Sequence, residues 1–203
     1  MVIGDPAVAA RSERGAETRA RIIAAGTELF AERGYAAASM RQLAELAGVS
    51  LSASYYYFPG KQDVLIAIME EAMSRLEAGA RDVMTRDLEP LERLAELVRA
   101  HVRVHLQEPE LARVADGELR ALGGASREDV IAWRDGYEAY FRTTLAEGVD
   151  QGVFSDVLDV PITAMAIITM ATGTAEWWRP KGRLSADEAA ALLSDLAIAM
   201  TVR

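Results

Sequence analysis

Apolar residues recur every three or four positions along nearly the whole chain, and no stretch alternates apolar with polar side chains as a half-buried strand would. That pattern restricts the fold to packed helices, and start and stop signals divide it. The small, polar stretch over residues 1–16 is expected to be a flexible arm. A helix is predicted over 18–33, with Ile22, Ile23, Ala25, Leu29 and Phe30 as its buried stripe and Gly34 as a left-handed stop. Ser39 opens a second helix, and Gln42 three residues on completes a capping box; Leu43, Leu46 and Ala47 form its apolar face. Ser50 opens a short third helix, which Pro59 and Gly60 end. Longer helices are expected over 61–84, 90–107, 109–121, 127–152, 161–178 and 186–202. Their start signals are Ser126, Asp159 with Pro161, and Ser185 with Glu188. The predicted fold is all-α, with about nine helices and no sheet.

Composition narrows the function classes. The 203 residues include no cysteine, which rules out a disulfide framework and a thiolate metal site. The first residues lack the apolar run of a signal peptide. The most apolar window, 160–175, is interrupted by Pro161, Gly173 and four threonines, and is too short for a membrane span. A cytoplasmic protein without a membrane partner is expected. The formal net charge is −9, yet residues 1–66 balance at zero, with seven basic and seven acidic side chains. The whole acidic excess lies beyond residue 66. A neutral head can still present a locally positive face to phosphates.

The residues over 39–58 have the requirements of a helix-turn-helix: two short helices joined by a glycine-containing turn. Ala44 and Ala47 are small enough for the helices to approach closely, Gly48 tolerates a positive φ, and Val49 fills the space beneath the crossing. Tyr55, Tyr56, Tyr57 and Phe58 follow. Three consecutive tyrosines on one short helix cannot all face a core, so some phenol hydroxyls are available to phosphate oxygens.

The stretch TRARIIAAGTELFAERGYAAASMRQLAELAGVSLSASYYYFPGKQDVL closely resembles the DNA-binding domain of the TetR family of repressors. The resemblance rests on the apolar first helix with its LF…GY ending, the Ser-capped second helix, the AGVS turn, the YYYF end of the third helix and the lysine after it. It implies a DNA-binding domain over 17–61, with its motif at 39–58, and an effector-binding and dimerisation domain over 62–203. Carried over by position, Arg41 and Gln42 lie near the start of the second helix, where a base or phosphate is reached. Ser50, Leu51, Ser52 and Ala53 form the groove-facing start of the third helix. Tyr55, Tyr56 and Lys61 are the implied phosphate contacts, and Tyr57 and Phe58 the packing residues. Two positions depart from the family pattern: Ser54 replaces a large aliphatic anchor, and Leu51 replaces a polar reader with a side chain that offers only apolar contact.

Beyond residue 62 no phosphate loop or nucleophile elbow appears. The resemblance implies pairing of the last two helices across a homodimer that binds a double-stranded palindromic operator, with Ala164, Ile168, Thr172, Ala189, Leu192, Leu193, Leu196 and Met200 as interface positions. His101 and His105 share one helix face at i, i+4 and are open to three readings: pocket lining, satisfied core histidines, or a metal pair that lacks a carboxylate on its own face. Trp133, Tyr137, Tyr140 and Phe141 form an aromatic stripe, and Met69, Met73, Met165 and Met170 are candidate adaptable lining. The segment EWWRPKGRLS is similar to a junction in TetR-type regulators of fatty-acid and steroid catabolism. That likeness adds Trp177, Trp178, Arg179 and Arg183 to the effector candidates and implies an acyl-CoA thioester as effector. The residues call for no cofactor. The alternatives are a regulator that senses a hydrophobic drug-like molecule and, from another class, a helical metal-dependent enzyme built on His101 and His105.

Overall fold

The computed structural model describes residues 6–202, with side chains from residue 14 onward. Its helices are α1 (Pro6–Arg33), α2 (Met40–Ala47), α3 (Leu51–Tyr57), α4 (Lys61–Met84), α5 (Pro90–Gln107), α6 (Pro109–Gly117), α7 (Gly124–Asp150), α8 (Val160–Thr172), α9 (Thr174–Trp177) and α10 (Ala186–Thr201). A 3-10 turn, Glu118–Ala121, follows α6. No strand occurs among the described residues. Nine helices have seven residues or more; α9 is a single turn, separated from α8 only by Gly173.

The start signals act as their chemistry requires. Ser39 and Gln42 form a reciprocal capping box on α2, and Ser185 and Glu188 form another on α10. Asp159 accepts the Ile162 N–H at 3.0 Å and opens α8. Such caps contribute about 1 kcal/mol each. Two starts differ from expectation. The first helix begins at Pro6, so residues 6–16 of the expected arm are helical, while residues 1–5 lie outside the described residues. The alanines and arginines of this stretch favour helix, and proline is at home in a first turn. The seventh helix begins at Gly124, three residues before the expected start.

Side chains pack around two centres. The first gathers Ile22, Leu29 and Phe30 of α1, Leu43 of α2, Phe58, and Val64, Leu65 and Ile68 of α4. It also takes in Leu111, Val114 and Ala115 of α6, and Leu122 and Val130. Packing therefore does not break at residue 61: α4 and α6 are walls of the N-terminal head as well as parts of the C-terminal body. Leu46, expected on the buried face of α2, is exposed instead. The second centre joins α4, α5, α7, α8 and α10 through Leu76, Leu97, Val98, Phe141, Leu145, Ile167 and Leu193. No described helix is long and apolar enough to cross a membrane.

Candidate nucleic-acid interface and effector site

The turn between α2 and α3 is locked from both sides. Gly48 takes φ 64°, in the left-handed region, and the N–H groups of Gly48 and Val49 bond back to Glu45 and Ala44. Arg21, which sequence reasoning did not single out, reaches from α1 to donate to the carbonyls of Ala47 and of Gly48, the latter at 2.9 Å. A guanidinium on the last carbonyls of a helix also meets the negative end of its dipole. Its partners lie 26 and 27 residues away, so no local pattern signals this role.

The recognition helix α3 stands on this turn. Ser50 caps it, accepting the Ala53 N–H at 3.1 Å, with the Ser52 hydroxyl 3.0 Å away. Ser54 is fully buried and donates to the Leu51 carbonyl at 2.8 Å, so the small residue is seated by its own turn of helix. Phe58 is buried in the head core and Tyr57 packs against it. Leu51, Ser52, Tyr55 and Tyr56 face outward; Tyr56 is 82% exposed. Ala53 is half-buried, and Arg41 is exposed in the first turn of α2. Gln42 uses its side-chain oxygen on the Ser39 N–H and hydroxyl, at 3.0 and 2.8 Å, which leaves its amide N–H groups for any outside partner.

Lys61 has a different task from the one expected. Its ammonium donates to the carbonyls of Tyr35, Ala36 and Ala38 at 2.9, 3.2 and 3.1 Å and lies 4.4 Å from the Tyr35 ring centre. An ammonium has three protons, and these carbonyls account for all three. The lysine staples the α1–α2 loop to α4. Lys61→Met is therefore expected to lower the melting temperature while leaving the salt dependence of DNA binding unchanged. A direct phosphate ligand would instead reduce the slope of log affinity against log salt by about one.

The expected effector residues fall in separate places. A crevice with about 390 Å³ of empty space lies between α4, α5, α6 and α7, lined by Met69, Met73, Leu76, Val104, Leu111 and Val130 and closed by His105, Asp116 and Arg134. The walls stand close together, so a larger guest must part them. Of the effector candidates in the aromatic, histidine and loop sets, only His105 lines it. His101 is buried beside it, with Nδ1 2.9 Å from the Tyr137 hydroxyl and Nε2 3.1 Å from the Thr172 hydroxyl. Hydroxyls both donate and accept, so a neutral ring is fully satisfied. The two imidazoles stack at 4.3 Å and 12°. His105 donates Nδ1–H to the His101 carbonyl at 3.0 Å and places Nε2 3.2 Å from Asp116. That carboxylate comes from α6, which is why it was invisible on the histidines' own helix. With every ring nitrogen engaged and the rings parallel, the pair does not converge on a metal, and no group of three metal-ligating side chains occurs among the described residues.

Burial, with a smaller contribution from the neighbouring His105, holds the His101 pKa well below its ordinary 6.5. Below pH 6.5 the unfolded chain binds a proton there that the folded chain refuses. Stability is complete above that value and falls as pH drops, by about 1.4 kcal/mol per unit until the folded ring titrates too. Thermal melts between pH 7.5 and 5.5 should show this loss in the native chain and a shallower one in His101→Gln. Burial likewise raises the Tyr137 phenol far above its usual range, which keeps it a neutral partner.

Trp133 packs partly buried against the first core, and Tyr140 against the second. Trp177, Trp178, Arg179 and Arg183 do come together, with Gly182 and Leu184, around a surface hollow of about 490 Å³. Trp178 Nε1 donates to the Leu184 carbonyl at 3.0 Å, while Arg179 folds back onto the carbonyls of Glu176 and Trp178. Met165, expected as lining, is 54% exposed on α8. It belongs to an apolar face with Ile162 on α8 and Leu192, Leu196 and Met200 on α10. Ala164, Ala189 and Leu193, expected on that face, are core residues; Ile168 packs partly buried against the core, and Thr172 is tied to His101.

A capped helix-turn-helix with an outward recognition helix, carried on an all-helical body with an internal crevice, defines a DNA-binding regulator. Residues 22–68 match the family described as bacterial regulatory proteins, tetR family, and residues 87–201 match the tetracyclin repressor-like C-terminal domain. The fatty acid metabolism regulator protein of Bacillus subtilis is 28% identical over 158 residues, which are 78% of this chain and 81% of that protein. The HTH-type transcriptional repressor KstR2 of Mycobacterium tuberculosis is 26% identical, over 84% of this chain and 86% of its own. A bacterial regulatory protein of the TetR family from Rhodococcus RHA1 superposes with a TM-score of 0.86 at 28% identity, over 91% of this chain and 97% of that one. The chain belongs to the TetR family of bacterial regulators.

Proposed function

We propose that this chain is a homodimeric transcriptional repressor, acting in the cytoplasm, that leaves a palindromic operator when an acyl effector occupies its C-terminal body. The observation that carries the reading is the pairing of a rigid, outward recognition helix with a crevice bounded by α4, a helix shared by head and body. Two such helices, held by a dimer, would enter successive major grooves roughly 34–36 Å apart. Tyr55, Tyr56 and Arg41 would hold phosphates, and Leu51 would touch a thymine methyl.

The effector class rests on chemistry. The crevice walls are methionines and aliphatics, suited to a flexible chain, and the relative from B. subtilis regulates fatty acid metabolism. Arg179, Lys181 and Arg183 gather positive charge beside two indoles in an otherwise acidic body, which suits the phosphates and adenine of a coenzyme A thioester. Fluorescence anisotropy with fragments of the chain's own promoter region tests the DNA reading: salt-sensitive binding is expected, weakened about tenfold in Tyr55→Phe/Tyr56→Phe. Absence of any such binding would sink it. A thermal-shift comparison of CoA thioesters with apolar cations tests the effector, because only a ligand that prefers the folded state raises its melting temperature. Stabilisation by apolar cations alone would point to the drug-like class instead.

A further inference from the structure

The end of α6 touches both the crevice and the DNA-binding head. On the crevice side, Asp116 places Oδ2 3.2 Å from His105 Nε2 of α5 and Oδ1 3.6 Å from Arg134 Nη2 of α7. The same Arg134 donates to the Ala115 carbonyl at 2.8 Å. On the head side, Ala115 is part of the first core, together with Leu111, Val114 and Leu122. Two residues beyond Asp116, Glu118 starts the 3-10 turn and its Oε1 accepts the backbone N–H of Tyr35 at 3.1 Å. Tyr35 lies in the loop whose carbonyls Lys61 staples, and that loop runs directly into Ser39, the cap of α2.

This bond is out of the ordinary for its setting. The Tyr35 amide follows Gly34, whose φ of 77° marks the left-handed stop of α1. Its acceptor is a carboxylate from 83 residues away. Charged acceptors make the stronger class of hydrogen bond. The helix carrying that carboxylate is short and bordered by Gly117, Gly123 and Gly124, at none of which a side chain would meet a neighbour.

We propose that Glu118 is the positioning residue through which occupancy of the crevice reaches the DNA-binding head. The proposal rests on the effector reading above and deepens it. Arg134 sets its guanidinium against the Asp116 carboxylate with His105 beside it, so the same cation can equally hold an oxygen acceptor of a guest: the carboxylate or thioester carbonyl at the end of an elongated apolar chain. A guest that takes these contacts frees Asp116, the end of α6 shifts, and Glu118 releases the Tyr35 N–H. The α1–α2 loop then loses its tie to the end of α6 and keeps only the Lys61 staple to α4. The guest weakens DNA binding only to the extent that it prefers the released arrangement.

Backbone hydrogen exchange over residues 34–39 of the full chain tests this without any knowledge of the operator. Glu118→Ala should speed exchange of the Tyr35 amide roughly tenfold, the loss of one charge-assisted bond. Glu118→Gln keeps an acceptor oxygen and should restore most of the protection. Asp116→Asn, which touches nothing in the head, should also speed this amide, and Asp116→Asn/Glu118→Ala should be no faster than Glu118→Ala alone. Native exchange at Tyr35 in Asp116→Asn would overturn the proposal, because the crevice and the head would then be uncoupled along this route. Decanoyl-CoA and decanoate serve as probes. If either raises the melting temperature yet leaves Tyr35 protection unchanged, the proposal also fails. If neither binds, the acyl-effector reading fails, and the Asp116→Asn result still decides the role of Glu118.

Discussion

Leu196→Asp is expected to leave the chain monomeric and to weaken its binding to operator DNA about a hundredfold or more. Leu196 is 46% exposed at the middle of an apolar stripe on α10, one helical turn from Leu192 and one from Met200. Ile162 and Met165 extend the same character onto α8, which packs against α10. Water-facing in a single copy, these side chains would be buried against a second one, and a stable interface buries about 800 Å² per partner. A carboxylate at the centre of such a face would be desolvated without a partner, a cost of several kcal/mol. In the monomer the same carboxylate stays solvated, so folding should survive. Loss of DNA affinity follows because each recognition helix alone engages one half-site, and linking two half-site contacts is worth about 10²–10⁴ in affinity. Sedimentation velocity and anisotropy read the two effects together. Val157→Asp is the control: Val157 is 74% exposed but lies off both helices, in the α7–α8 connection. A dimeric Leu196→Asp with native DNA affinity would place the interface elsewhere.

That face also shows where sequence reading stops. Helix starts were legible because each depends on a few adjacent residues: Ser39 with Gln42, Asp159 before Pro161, Ser185 with Glu188. The turn at Gly48 and the outward tyrosines were legible for the same reason. The rotation of α8 and α10 was not. Both helices are small or apolar around most of their circumference, so no polar stripe marks the water side, and Ala189 and Leu193 could not be told from Leu192 and Leu196. Long-range polar contacts were equally hidden. Lys61 looked like a phosphate ligand because it follows the recognition helix, whereas its partners are 23 to 26 residues upstream. Asp116 reaches His105 from another helix, and Arg21 reaches the turn from α1. The crevice depends on where four helices meet, which fixes its lining only after folding. The sequence therefore marks the helix-turn-helix and its outward face well and the interior poorly.

Gly148→Ala is the second large effect, expected to cost about 2–3 kcal/mol of stability although it adds a single carbon. In an exposed helix the change would be favourable by about 1 kcal/mol. Here a Cβ would lie 2.1 and 2.3 Å from Cδ2 and Cε2 of Phe154, so the ring has to leave its seat. Phe154 is buried in the second core, and emptying such a site costs roughly 3–5 kcal/mol. The backbone cannot yield easily to spare the ring. The Gly148 carbonyl accepts the N–H groups of Val153 and Phe154 at 2.8 and 3.0 Å, and the Ser155 N–H is bonded to the Thr201 carbonyl at the end of α10. The wedge thus fixes the connection that leads into α8 and pins it to the last turn of α10, the two helices of the apolar face. Thermal unfolding should register the loss, and sedimentation should register a weaker dimer. The clash also predicts non-additivity. Phe154→Ala alone should be strongly destabilising, and Gly148→Ala/Phe154→Ala should be no worse, since the added methyl then occupies space the ring has vacated. A strictly additive double variant would mean that Gly148 matters through its own backbone and not through Phe154.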